Sequence, residues 1–154
     1  MQYEIKILNT LEAMLGYHAF IQHLYPKMSL AQYETLLKEM VPNNYHQVVV
    51  LENNEPVGLA GFWINTRLWC GKYIDADNVI VHPDYRSKGI GKILMHEIEK
   101  EGTKLGCNIA VLDVYVDNFK AQKFYYREGY IARGYHFLKP LHLKVTDARN
   151  LWND

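Results

Sequence analysis

Between Tyr73 and Val116 the hydrophobic period changes twice, from two to about 3.6 residues and back again. Tyr73 to Val81 reads as a strand, and His82-Pro83 ends it because proline cannot donate to a sheet ladder. From Gly89 onward Ile90, Ile93, Leu94, Ile98 and Leu105 fall on one helical stripe. Asn108 to Val116 alternates again around Ile109, Val111 and Leu112. Strand, helix and strand in this order form a β–α–β crossover, which requires two parallel, neighbouring strands.

The flanking segments fill in the rest of an α/β fold. Residues 3–8 alternate as a first strand, and Thr10 caps a helical stripe of Leu11, Met14, Leu15, His18 and Ala19 that closes at Pro26. Ser29 caps a second helix carrying Leu30, Tyr33, Leu37 and Met40, limited by Pro42. Valine-rich Tyr45 to Leu51 and the run Pro56 to Leu68 form an antiparallel hairpin about Asn53-Asn54, and Gly71 turns the chain into the strand at Tyr73. After the crossover, Asp117 or Asn118 caps a last helix running through Glu128, and Gly129 ends it in a left-handed conformation. Tyr130 to Lys139 is expected to return to the sheet. The expected whole is a mixed, mainly antiparallel sheet with a central parallel pair and helices on both faces. Residues 1–140 form one domain. In the extension 141–154, Leu141, Leu143, Val145, Leu151 and Trp152 are too apolar for a free end, so it packs on its own domain or on a second copy in a homodimer.

Composition narrows the function. A chain of 154 residues makes one core, and 17 basic against 17 acidic residues leave no net charge to neutralise a phosphate backbone, so nucleic acid is not an expected partner. No apolar run is long enough to span a bilayer, and the charged start, with Glu4 and Lys6, reads as a strand and not as a signal peptide. Two cysteines, Cys70 and Cys107, fit a reducing, cytoplasmic setting. Seven histidines never take metal-ligand spacing, so no metal is expected. Cys107 opens a strand with no histidine constellation around it and reads as packing.

The turn inside the crossover, Arg86-Ser87-Lys88-Gly89-Ile90-Gly91, is basic, contains glycine and opens directly into a helix. The first turn of a helix offers unpaired N–H groups and the positive end of its dipole, and glycine lets an anion approach the backbone. A diphosphate fits such a place, with Arg86 and Lys88 adding charge. Two alternatives fail: a Walker loop needs Gly-Lys-Ser/Thr, and a dinucleotide fingerprint needs a third glycine where Leu94 stands.

The run from Val81 to Gly91 resembles the acetyl-coenzyme A signature of the GNAT superfamily of N-acetyltransferases, Arg/Gln-x-x-Gly-x-Gly/Ala after a Val-x-Pro strand end. Asn118, Ala121, Phe124, Tyr125, Gly129 and Tyr130 resemble that family's later motif, Asn-x-x-Ala-x-x-Leu/Phe-Tyr-x-x-x-Gly-Phe/Tyr. The order of elements up to about residue 140 is similar to the family's domain as well. The resemblance implies that the backbone from Arg86 through Ser87, Lys88, Gly89 and Ile90 to Gly91 cradles the pyrophosphate of acetyl-CoA. It also implies that the parallel strands splay apart and that Val79, Ile80 and Val81 contact the pantetheine arm as an added strand would. Asn118, Ala121 and Phe124 belong to the same cofactor site by the second motif. Ser87 departs from the pattern, since glycine is common at that position in the family, and the turn must accommodate its Cβ.

Transfer from a thioester to an amine needs a neutral nucleophile, a stabilised oxyanion and a protonated leaving thiolate. The resemblance places Tyr125 as general acid and a backbone N–H from Val79 to Val81 at the oxyanion. For the base, strand alternation puts Asp75, Asp77, Val79 and Val81 on one side, and Asp77 stands nearest the splay, with Asp75 or a water relay as alternatives. Trp63, Trp69 and Tyr73, with His23-Leu24-Tyr25, either wall an acceptor pocket or pack in the core. The expected reaction is acetyl transfer from acetyl-CoA to a small amine or amino-acid-like acceptor in a ternary complex. A peptide N-terminus or lysine, or a catalytically silent acyl-CoA sensor, is the alternative.

Overall fold

The structure, a computed structural model, describes residues 2–141. Five strands, β1 (Glu4–Leu8), β2 (Tyr45–Glu52), β3 (Glu55–Arg67), β4 (Gly71–Val81) and β5 (Ile109–Leu112), form one sheet in sequence order. The first four pair antiparallel, and β4 pairs parallel with β5. Helices α1 (Leu11–Leu15), α2 (His18–Ile21) and α3 (Leu30–Met40) follow β1, α4 (Ile90–Lys104) makes the crossover, and α5 (Phe119–Arg127) follows β5.

The local signals explain most boundaries. Thr10 accepts from the Ala13 N–H and starts α1, and Ser29 with Gln32 forms a reciprocal capping box at α3. Asn53 and Asn54 both have positive φ, 51° and 67°, the requirement of a type I′ hairpin turn between β2 and β3. Gly129, at φ 93°, follows α5 as expected.

Two apolar layers sandwich the sheet. Met14, Phe20, Tyr33 and Leu37 from the N-terminal helices pack on Tyr45, Val49, Leu59 and Ile80. On the other face Ile90, Leu94, Met95 and Ile98 of α4 pack on Val48, Val50, Phe62, Ile74 and Ala76. Each of those four α4 side chains is essentially fully buried, and each contributes roughly 1.5–3 kcal/mol of apolar transfer. Helices therefore cover both faces, and the crossover helix is fixed against the strand that leads into it.

Three expectations change. The stripe beginning at Leu11 is broken into α1 and α2 because Gly16 caps the first and Tyr17 leaves helical geometry, with φ −106° and ψ 15°. The strand expected over 108–116 stops at Leu112. Residues 130–139 carry no regular secondary structure, and Ile131, Tyr135 and Phe137 are exposed. Alternation supplies such a segment with two faces but not with a ladder partner, and the neighbouring strand β5 is only four residues long. Among the described residues the parallel pair thus stands at one end of the sheet. Residues 142–154 lie outside the described residues. No helix among the described residues is long and apolar enough to cross a membrane.

Candidate active site

The parallel pairing runs from Tyr73↔Ile109 to Ala76↔Leu112 and then stops, while β4 continues to Val81. Past Ala76 the backbone of β4 has no strand on its β5 side among the described residues, which is the splay that the family resemblance implies. The same segment carries a bulge. Leu59 pairs with Ile80 and Gly61 with Asp77, so Ala60 alone stands opposite Asn78 and Val79. Asn78 takes up the extra length with a left-handed φ of 53°. The bulge reverses the facing of the strand, correcting the expected alternation. Asp77 faces Trp63 on the α1–α3 side, Ile80 joins that same core, and Val79 and Val81 pack toward α4.

Below the splay lies the turn into α4. Gly89 is its N-cap with φ 85°, a conformation that glycine adopts without penalty, and no atom lies within 4 Å of where a Cβ would stand. Ser87 is also left-handed at φ 61°, so this non-glycine residue accommodates its Cβ by accepting an unfavourable backbone. Gly91 is needed for a different reason. A Cβ there would stand 3.3 Å from the Phe124 ring, so its absence lets α5 close on the start of α4.

One cleft of about 680 Å³ joins these parts. Its wall includes Val79, Ile80 and Val81 of β4, Arg86, Ser87, Gly89 and Gly91 of the turn, and Ala121, Phe124 and Tyr125 of α5. The size and the open backbone around Gly89 suit an elongated anionic ligand lying from the turn to the splay. Tyr125 is half-buried, and burial raises its phenol above the ordinary value, so at neutral pH it is a hydrogen-bond donor.

Three of the expected cofactor residues sit elsewhere in detail. The Ile90 side chain is in the core under the sheet, leaving only its backbone at the helix start. Lys88 lays its ammonium 4.7 Å from the centre of the Tyr85 ring, a cation–π contact. Asn118 caps α5, its Oδ1 accepting from the Ala121 N–H at 3.1 Å, and so starts the helix whose Ala121, Phe124 and Tyr125 line the cleft. Sequence reading missed Lys92, Lys120 and Arg127, all of which line the cleft. Spacing holds the signal for them: Lys92 is in the first turn of α4, Lys120 in the first turn of α5, and Arg127 lies seven residues on, two helical turns along the same face.

On the α1–α3 side of the splay, the two strand carboxylates differ. Asp77 accepts from the Trp63 indole N–H at 3.1 Å and from the Asn78 backbone N–H at 2.8 Å, using both oxygens. Asp75 is pushed up to about 6 by burial first, then by the neighbouring charges of Asp113 and Asp77. Tyr25 reaches the same place through Asn78, whose Nδ2 donates to the Tyr25 hydroxyl at 2.8 Å. Tyr45 packs against Trp63 with ring centres 4.9 Å apart and planes tilted by 54°, so Trp63 serves as core on one side and as a carboxylate partner on the other. Trp69 lies at the β3–β4 turn beneath the Arg133 guanidinium, 4.6 Å from its ring centre.

A sheet opened at a parallel pair, with a glycine turn under the opening and a helix closing over it, is the arrangement that the GNAT resemblance implies. The model of the acetyltransferase (GNAT) family matches residues 13–130, and the chain belongs to that family of acyltransferase enzymes. The aminoalkylphosphonate N-acetyltransferase of Salmonella typhimurium is 29% identical over 99 residues, a match that spans 64% of this chain and 64% of that relative's length. In fold, the chain is similar to an acetyltransferase of Trypanosoma brucei, with TM-score 0.74 and 22% identity over 91% of this chain and all of the other. It is likewise similar to an aminoglycoside N-acetyltransferase in complex with CoA, with TM-score 0.76 and 17% identity over 92% of this chain and 96% of the other.

Proposed function

We propose that the chain transfers the acetyl group of acetyl-CoA to the primary amine of a small acceptor, by direct attack in a ternary complex. The observation that carries this reading is the cleft in which the Arg86–Gly91 turn, the open edge of β4 and Tyr125 meet. In it, the N–H groups at the start of α4 hold the pyrophosphate, with Arg86, Lys92 and Lys120 as counter-charges. The β4 edge from Val79 to Val81 pairs with the pantetheine arm and supplies the N–H that meets the developing oxyanion.

Tyr125 hydrogen-bonds the leaving sulfur. Complete proton transfer from an ordinary tyrosine at ~10 to a thiolate at ~8.5 is uphill by ~2 kcal/mol, and its raised phenol makes that step harder. A hydrogen bond that strengthens as charge grows on sulfur is therefore its role. At the other side Asp77, fixed by two donors, orients the acceptor ammonium, and Asp75 takes its proton through water. From an ammonium at ~10.4 to an ordinary carboxylate at ~3.9 the transfer costs about 9 kcal/mol. To a carboxyl at about 6 it costs about 6 kcal/mol.

The acceptor is a small amine-bearing molecule, a reading supported by relatives named for aminoalkylphosphonate and aminoglycoside acetylation and by the aromatic and acidic groups Tyr25, Trp63, Asp75 and Asp77 at the splay. The free cysteines Cys70 and Cys107 support a cytoplasmic setting. The test is calorimetric titration with acetyl-CoA together with free-thiol release against a panel of amines, amino acids and short peptides. Binding with amine-dependent thiol release is expected. Binding with no release from any amine in the panel supports a silent sensor instead, and absence of binding removes the reading.

A further inference from the structure

The β4 bulge is gripped by side chains that the acyl-transfer chemistry does not itself use. Asn78 is held from two sides: the Tyr45 hydroxyl donates to its Oδ1 at 3.0 Å, and its Nδ2 donates to the Tyr25 hydroxyl at 2.8 Å. Behind Tyr45, Gln47 Nε2 donates to the hydroxyls of Tyr45 at 3.2 Å and Tyr33 at 2.8 Å. Tyr45 and Gln47 are 1% and 0% exposed, so this chain of polar groups runs through the core beneath the bulge. Gly61 makes room for it. A Cβ at this residue, the register partner of Asp77, would stand 2.2 Å from the Tyr45 hydroxyl oxygen.

Such a network is a poor way to stabilise a sheet. A satisfied buried hydrogen bond contributes only modestly in net terms, an unsatisfied buried polar atom costs as much or more, and Gln47 Oε1 is buried with no hydrogen-bond partner among the described residues. What the network does accomplish is orientation. Asparagine tolerates the left-handed backbone that the bulge needs, and its amide both donates and accepts, so it can be clamped by two tyrosines at once. The backbone N–H of the clamped residue in turn holds Asp77 Oδ1, and the next residues along are the open edge from Val79 to Val81.

We infer that Asn78, clamped by Tyr45 and Tyr25, is a positioning residue for acyl transfer. Through the bulge it aims the Asp77 carboxylate at the acceptor and the Val79–Val81 N–H groups at the acyl oxygen. The inference rests on the proposed reading that the thioester lies along this edge.

The test compares Asn78→Gly, which keeps the left-handed backbone and removes both side-chain bonds, with Val49→Ala. Val49 is a fully buried core residue on the same face of β2, and its truncation destabilises without removing any hydrogen bond of the network. Both proteins are assayed well below their unfolding midpoints, with kcat, the KM for acetyl-CoA and CoA affinity measured separately. Asn78→Gly is expected to lose 10-fold or more in kcat with KM and CoA affinity within threefold of the parent, while Val49→Ala keeps kcat within twofold. Tyr45→Phe should reduce kcat in the same direction and add little when combined with Asn78→Gly, because both break one clamp. An Asn78→Gly protein with kcat within twofold of the parent overturns the inference, and so does a Val49→Ala protein that loses as much. If the parent protein itself shows no amine-dependent thiol release, the acyl-transfer reading fails, and the positioning role fails with it.

Discussion

Asp75→Asn should make the protein more stable and less active, and the stability gain should depend on pH in a defined way. The side chain is half-buried on β4, and its carboxyl is raised from 3.8 to about 6, by burial first and then by Asp113 and Asp77. A carboxyl raised in the folded state contributes stability that is complete below the unfolded value and lost as pH climbs through the folded one. Between pH 3.8 and about 6 the unfolded chain has already released a proton that the folded protein keeps. Above that window, the folded protein bears a charge it disfavours. The shift corresponds to ~3 kcal/mol, which solvent access to the partly exposed side chain reduces to about 1–2 kcal/mol. Asparagine carries no charge at any of these pH values. Relative to the parent, the variant should show no gain near pH 4 and about 1–2 kcal/mol near pH 7.5, a rise of roughly 2–8 °C in unfolding midpoint for a chain of this size. The assay is thermal unfolding of both proteins across that range, paired with pH–rate profiles. The parent's kcat/KM should rise as pH passes about 6, and the variant should lose that rise together with activity. A variant equally destabilised at every pH, or one that keeps the rise, refutes the assignment of Asp75 as a strained carboxyl that takes the acceptor's proton.

Tyr125→Phe should lower kcat by roughly 10- to 100-fold while leaving CoA affinity within twofold, as measured by thiol release and calorimetry, because the hydroxyl acts on charge that develops only as the sulfur leaves. Gly89→Val should instead weaken CoA first, with Kd raised about tenfold or more by calorimetry, since the left-handed φ of 85° strains any β-branched residue and the new side chain stands in the cleft. Ser87→Gly should raise stability by up to about 1 kcal/mol, because the left-handed backbone costs serine roughly 1–2 kcal/mol and glycine's extra unfolded-state freedom returns part of that; an unfolding midpoint below that of the parent would count against strain at this turn.

Much of this fold could be read directly because local and tertiary preferences agree. Thr10, Ser29 and Asn118 cap the helices they precede, Asn53-Asn54 makes the hairpin, and the stripe of Ile90, Leu94 and Ile98 meets the sheet. The glycine turn was legible for the same reason, since a helix N-terminus attracts anions wherever it occurs. What escaped depended on partners far away in sequence. Tyr130 to Lys139 has the alternation of a strand but no ladder beside it, and the Leu11 stripe continues past a break that Gly16 and Tyr17 impose on the backbone. Lys92, Lys120 and Arg127 carry a spacing signal that places them in helix first turns and along one helix face, but only the approach of α5 to α4 across Gly91 brings them to one cleft.

The alternation of β4 failed at the one residue where failure has chemical consequences. A strand of strict period two would have put Asp75, Asp77, Val79 and Val81 on one face, with carboxylates and pantetheine edge crowded onto the α1–α3 side. The bulge at Asn78 separates them: Asp77 faces Trp63 on the α1–α3 side, while Val79 and Val81 beyond it pack toward α4 and line the cleft. The proposed direct attack needs nucleophile and thioester presented from two sides of one short segment, and this separation supplies two such sides. Left-handed non-glycine residues at Asn78 and Ser87 mark the two ends of this working region, one above the splay and one in the turn beneath it. Local backbone rules are broken at both positions, and each lies in or next to a segment that lines the cleft that the substrate is proposed to fill.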